Sequence, residues 1–436
     1  MKNPAGASST PCWPKARKAE RWTRLPPSSQ SIGPQPPSPS IQPDSPENTQ
    51  RSRTYPFHFL PMRLLPCLSL SLWAITALTA AAGTSGWPLW RGDAAMTGVS
   101  AEILSFPLKP AWKFTAAKPI KATAVADTER AYVGDGKGVF FAIKLADGTK
   151  AWEFATKDAI EGSALLSGKD VIFGSADGFV YCLEAATGTL RWKFETEAEI
   201  RGGANLFVRE GQEPLVLIGS YDNRLYALKA SDGTKAWMVE TGNYVNGTAS
   251  LVDGMTAFGG CDGFLYFVNA ADGTEKGKVE VNNPIASTVA ARNGIAVVGH
   301  YGNEIIAVDT ATLKPKWTYK DRDFPFFSSP AITAEGLVFA GDRGKRMHCL
   351  DLATGEAKWT FRAQGRIDSS PVVTGPHVVF GSDDGKIYAL TTADGKEAWT
   401  YEIGQPVQTS PCLAAGRLIM GADDGIIYAF TSGTQP

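Results

Sequence analysis

The sequence predicts an all-β chain, an eight-bladed β-propeller of four-stranded blades whose last blade is closed by an N-terminal strand. Three observations carry this. A glycine marker recurs at intervals near 40 residues, a tryptophan is locked to it, and the final repeat lacks one strand that stands ahead of the first.

The marker is a Gly followed four residues later by Gly or Asn and then by a strand-like run. It occurs at Gly134, Gly174, Gly219, Gly259, Gly299, Gly341, Gly381 and Gly421, so the spacings are 40, 45, 40, 40, 42, 40 and 40 residues. The sixth copy is irregular, with Gly344 one place early. Eighteen residues after the marker stand Trp152, Trp192, Trp237, Trp317, Trp359 and Trp399, whereas the fourth repeat has Gly277 there.

Each repeat reads as four short strands. In the sixth these are Ser329 to Thr333, Gly336 to Ala340, Met347 to Asp351 and Lys358 to Phe361. Asp177-Gly178, Asp222-Asn223, Asp262-Gly263, Asp384-Gly385 and Asp424-Gly425 fall between the second and third strands, where tight hairpins require positive φ. A second set, including Asp147-Gly148 and Asp394-Gly395, falls between the third and fourth. The fifth repeat departs there, with Leu313 and Pro315. The eighth repeat has no Trp, but Pro110-Ala111-Trp112-Lys113-Phe114 supplies a lone outer strand before the first. Pairing the two removes both exposed sheet edges.

Residues 110–433 are thus assigned to the propeller and 83–109 to a lead-in segment. Residues 1–61 are rich in Pro and Ser and show no apolar periodicity, so they are expected to be disordered. Residues 62–82 read as a signal peptide: Met62, Arg63, an apolar stretch, then Ala80-Ala81-Ala82 before Gly83. Because export signals stand at N-termini, Met62 is expected to be the natural start. The expected location is periplasmic or secreted.

The formal net charge of −1 and the absence of a basic stripe exclude the footprint of a nucleic-acid binder. The fixed outer-strand place of the tryptophans assigns them to packing between blades. The Asp-Gly pairs are assigned to hairpins rather than to calcium. Cys182, Cys261, Cys349 and Cys412 lie in separate, non-adjacent repeats and are expected to be buried free thiols. His300, His348 and His377 lack metal-ligand spacing, and no metal-binding or catalytic residue is singled out. Ser328-Ser329-Pro330 and Ser369-Ser370-Pro371 open inner strands and are read as structural.

One position does vary from blade to blade. Aligned inner strands begin at Lys121, Glu161, Arg201, Asn246, Ala286, Phe327, Asp368 and Gln408. A packing role would keep one residue type, as it does for Trp. These residues are therefore expected to line one mouth of the channel as a mixed-charge site for a ligand or partner.

The run Gly381-Ser382-Asp383-Asp384-Gly385-Lys386-Ile387-Tyr388-Ala389-Leu390, followed by Ala393-Asp394-Gly395-Lys396-Glu397-Ala398-Trp399, resembles the pyrroloquinoline-quinone-like propeller repeats. The resemblance covers about residues 110–433, and Trp87-Pro88-Leu89-Trp90-Arg91-Gly92 looks like the lead-in of exported members. It implies the propeller fold but leaves function open between two kinds of protein. One is a non-catalytic, monomeric scaffold of the cell envelope that binds protein partners, needs no cofactor and associates peripherally with membrane, as in outer-membrane β-barrel assembly. The other is a dehydrogenase of alcohols or sugars using pyrroloquinoline quinone. Such enzymes carry adjacent cysteines, a calcium-ligand set and long inserts. This chain has no Cys-Cys pair and little room for inserts, which favours the scaffold.

Overall fold

In the computed structural model, strands account for all the regular structure among the described residues, 86–432. The segments 1–61 and 62–82 lie outside them. The strands form eight sheets arranged as blades in a ring, seven of four strands and one of five. Blade 2 is representative, with antiparallel strands Leu165–Ser167, Asp170–Gly174, Phe179–Glu184 and Leu190–Glu195 running outwards. In blade 8, Leu108–Thr115 pairs with Ile426–Ser432, from Leu108 opposite Ser432 to Thr115 opposite Ile426. The N-terminal strand therefore closes the ring as the sequence predicts.

The core lies between blades. Second and third strands are buried on both faces, as in Val171 to Gly174 and Val180 to Leu183, so their runs are continuously apolar. Outer strands bury little beyond the Trp. A one-residue bulge precedes it, with Leu190 opposite Leu183 but Trp192 opposite Cys182. Except at Trp399, which packs on Phe106 and Phe430, each ring then lies on a glycine of the next blade. A Cβ on Gly188 would stand 2.6 Å from Trp152, and one on Gly233 2.5 Å from Trp192. The indole N–H groups of Trp112, Trp152, Trp192, Trp317 and Trp359 donate to backbone oxygens of the following blade at 2.8–3.0 Å.

The two departures from the repeat are one event. Where Gly277 replaces Trp, Leu313 replaces the facing glycine, and a Cβ on Gly277 would stand 2.7 Å from Leu313 Cδ1. The apolar side chain has moved across the blade interface.

The hairpin aspartates also join blades. Asp177, Asp222, Asp262, Asp384 and Asp424 accept the hydroxyls of Tyr181, Tyr226, Tyr266, Tyr388 and Tyr428 at 2.5–2.8 Å. Four of them also accept a backbone N–H of the preceding blade, at Lys157, Glu197, Gly242 and Gln364. The turns themselves need positive φ, 86° at Gly178 and 71° at Asn223.

One cysteine expectation is corrected. Cys182, Cys349 and Cys412 are buried free thiols, but Cys261 is disulfide-bonded. The expectation considered only distances between blades.

Candidate functional site

The inner strands are tied into a collar by buried hydroxyls. The N–H groups of Gly203, Thr248, Thr288, Ser329, Ser370 and Ser410 donate to the hydroxyls of Thr248, Thr288, Ser329, Ser370, Ser410 and Thr123 at 2.8–3.1 Å. Each bond runs from one blade to the next. The first serines of the Ser-Ser-Pro motifs accept the marker-glycine N–H of their own blades, Ser328 from Gly341 at 2.7 Å and Ser369 from Gly381 at 3.0 Å; Ser328 donates back to Gly341 O at 3.0 Å, whereas Ser369 donates to Thr409 O of blade 8 at 2.8 Å. These motifs are structural, as their sequence suggests.

The eight variable residues precede the collar by two positions, so they share one end of the ring. Most are half-buried, and Lys121 is exposed. They do not act alone. The residue two places after each marker glycine forms a second row: Gly136, Ala176, Tyr221, Cys261, Tyr301, Arg343, Asp383 and Asp423. A second-row residue of one blade meets the first-row residue of the next. Tyr221 donates to Asn246 Oδ1 at 2.8 Å, and Arg343 grips both oxygens of Asp368 at 2.9 and 2.6 Å. Gln408 donates to Asp383 at 3.0 Å, Lys121 binds Asp423 at 2.8 Å, and Tyr301 packs on Phe327 with centroids 4.4 Å apart. Sequence reasoning missed this second row, which also varies from blade to blade, although Tyr and Asp each occur twice in it.

The charges are paired across blades. Lys121 and Glu161 do not pair with each other. Lys121 binds Asp423 and Gln408, while Glu161 binds Arg201. Burial works against the Arg201 charge, but Glu161 and Glu199 outweigh it and hold the guanidinium above its ordinary value. Burial also pushes the Tyr221 hydroxyl up to about 12. Both arginines cover aromatic faces, Arg201 at 5.6 Å from the Tyr221 centroid and Arg343 at 3.7 Å from Phe327. The rim therefore divides into an aromatic arc over blades 3–6, where Tyr244 stacks on Tyr221 at 4.6 Å, and a polar arc over blades 7, 8 and 1. With both oxygens bound to Arg343, Asp368 must first break an ion pair to accept a proton.

Beside the second row, where Asp342 directly precedes Arg343, Asp321, Asp342 and His348 offer three ligand atoms within 4.8 Å of one another. They already have partners. His348 bonds Asp342 at 3.1 Å and Tyr319 at 3.2 Å, and Arg346 bonds Asp321 at 3.2 Å. This set takes the place of the Asp–Tyr latch in blade 6, where Gly344 and His348 stand for Asp384 and Tyr388 of blade 7.

The family model of the outer membrane protein assembly factor BamB matches residues 74–241, 160–318, 221–359 and 320–435. The chain belongs to the BamB family. No curated protein matches. Among solved structures, BamB from Moraxella catarrhalis is 16% identical, covers 74% of this chain and 100% of its own, and superposes with a TM-score of 0.62. Quinohemoprotein alcohol dehydrogenase from Comamonas testosteroni is 15% identical, covers 82% of each chain and has a TM-score of 0.71. At such identities the likeness shows the fold alone.

The rim tests the quinone directly. Pyrroloquinoline quinone is a tricarboxylate and needs cations free to receive it. Lys121, Arg201, Arg343 and Arg366 are already held by Asp423, Glu161 with Glu199, Asp368 and Asp383. A tricarboxylate would have to displace a carboxylate partner to reach any of these four cations.

Proposed function

We propose that this chain is an exported, monomeric propeller of the cell envelope that binds polypeptide partners at its rim, in keeping with the assembly role in its family's name. The observation that carries this is the double row of side chains. Tyr221, Tyr244, Tyr301, Phe327, Arg201 and Arg343 concentrate in one arc the residue types that dominate protein interfaces. Their aromatic and guanidinium faces are held in place by neighbours, so little side-chain freedom is lost on binding. Lys121, Glu161, Asn246, Asp368 and Gln408 complete the surface and set its register by polar contacts.

Calorimetric titration of the full chain with pyrroloquinoline quinone, with and without calcium, tests the reading against its rival. No binding is expected. Saturable binding at one site per chain would overturn it. A photo-crosslinking residue at Asn246 or Gln408 is expected to capture polypeptide from the native envelope, whereas one at Glu335, on the opposite end, is not. Replacing Arg201 and Asp368 together by Ala should abolish capture, and unchanged capture would sink the rim as the binding surface.

A further inference from the structure

The lead-in segment makes a circuit of the ring. In chain order its residues meet the inner-strand ends of blades 1 to 8. Trp87 exchanges two backbone bonds with Ala126 of blade 1, at 2.7 and 2.9 Å. Pro88 O accepts Leu166 N–H of blade 2 at 2.7 Å. Ala94 O accepts Asn205 Nδ2 of blade 3 at 2.8 Å and Leu251 N–H of blade 4 at 2.7 Å. Ala95, Thr97 and Gly98 oxygens accept Ala291, Ile332 and Val373 N–H of blades 5, 6 and 7 at 2.8–3.0 Å. The Glu102 carboxylate accepts Ala415 and Gly416 N–H of blade 8, both at 2.9 Å.

At the centre of the circuit is Arg91, which is fully buried. Its guanidinium donates to Pro371 O at 2.6 Å and Pro330 O at 2.7 Å, while its Nε has no partner. Arg91 and the equally buried Met96 both hold positive φ, 67° and 58°. Non-glycine residues keep that conformation only when their surroundings over-determine it. Gly98, at φ 67°, leaves no room for a Cβ beside the Arg91 guanidinium. A segment held this way has little freedom to release one blade at a time.

We propose that residues 87–105 are a single cooperative clasp. It closes the end of the channel opposite the variable rim and couples all eight inner strands, so that the ring loosens as a whole rather than blade by blade. This inference does not depend on the proposed function.

Hydrogen exchange of the full chain tests it. Arg91→Met removes the two bonds to blades 6 and 7. A cooperative clasp predicts at least tenfold faster exchange at Leu166, Leu251 and Ala291, in blades 2, 4 and 5, as well as at Ile332 and Val373. Second- and third-strand amides should stay protected. Faster exchange at Ile332 and Val373 alone would overturn the clasp. Should Arg91→Met fail to fold, Glu102→Gln weakens only the tie to blade 8. It should speed exchange at the distant Leu166 and Leu251, and an effect confined to Ala415 and Gly416 would refute the cooperativity.

Discussion

The capped end and the rim end of the same eight inner strands are built on opposite rules. At the capped end nearly every tie is a backbone amide meeting the 87–105 segment, and it hardly matters which side chain the blade carries. At the rim the backbone repeats but the side chains do not: Lys121, Glu161, Arg201, Asn246, Ala286, Phe327, Asp368 and Gln408 occupy one structural position. A repeat fold can thus hold its shape through contacts insensitive to sequence and leave the other end to vary. Between the two lies the hydroxyl collar, where residue type matters but not which of Ser or Thr supplies it.

A matched pair of glycine substitutions gives the largest expected contrast. Gly98→Ala at the capped end forces a Cβ into the Arg91 guanidinium at positive φ and should cost about 3 kcal/mol or more. Gly136→Ala on the rim places its Cβ 3.4 Å from Pro119 O, an ordinary contact, and should change stability by less than about 0.5 kcal/mol. Denaturant unfolding of both variants measures the difference. Equal effects would erase the distinction between the ends.

The collar should give an intermediate result. Ser329→Ala removes the acceptor of the buried Thr288 N–H, at 2.9 Å, and should cost about 1–3 kcal/mol by leaving that donor unmet. Ser329→Thr keeps the hydroxyl, as Thr248 and Thr288 do in their blades, and should restore most of the loss in the same unfolding assay. If Thr rescues nothing, the collar depends on size rather than on the hydrogen bond.

What the sequence made legible follows the same division. The blade count, the closing strand and the tryptophan role could be read because each is a side-chain signal repeated at fixed spacing. The shared position of the first rim row could be read from the aligned repeats, and the second row, Gly136 to Asp423, stands at an equally fixed place two residues after the marker. The clasp was not readable. Ala94, Ala95, Thr97 and Gly98 act through their carbonyl oxygens, which no residue type announces, so 83–109 showed only as a lead-in. Cys261 was assigned wrongly as a free thiol, because only distances between blades bore on that assignment. The Asp342–His348 pair was hidden because the acid moved two positions when the blade 6 hairpin lost its Asp.

On the rim, Arg343→Met should be milder than the collar variant, about 1 kcal/mol. The Arg343–Asp368 pair is partly exposed, 19% and 11%, and water can take over some of the lost contacts. Adding Asp368→Asn removes the stranded charge and should recover part of the loss in a double-mutant cycle. A loss as large as that of Gly98→Ala would mean that the rim is structural rather than variable by permission.

The smallest expected effect is on pH dependence, and here both ends contribute through a histidine. Burial lowers His300 below its ordinary value, with Glu304 opposing, and burial lowers His377 as well. A histidine depressed in the folded state binds its proton more readily when unfolded. Its contribution to stability is therefore complete above about pH 6.5 and is lost as pH falls through that value towards the folded one. His300 stands one residue before Tyr301 at the rim, is 1% exposed, and accepts the Gly302 N–H on Nδ1 at 3.0 Å, a bond that protonation breaks. His377 lies at the capped end against Phe106, with centroids 4.8 Å apart, and is less buried. Arg91, although burial lowers it to about 9, keeps its proton throughout this range and adds nothing to the slope. Stability measured by urea unfolding should fall between pH 7.5 and pH 5.5, and His300→Gln should flatten that fall more than His377→Gln. The reverse order would place the acid-sensitive end of the ring at the clasp rather than at the rim.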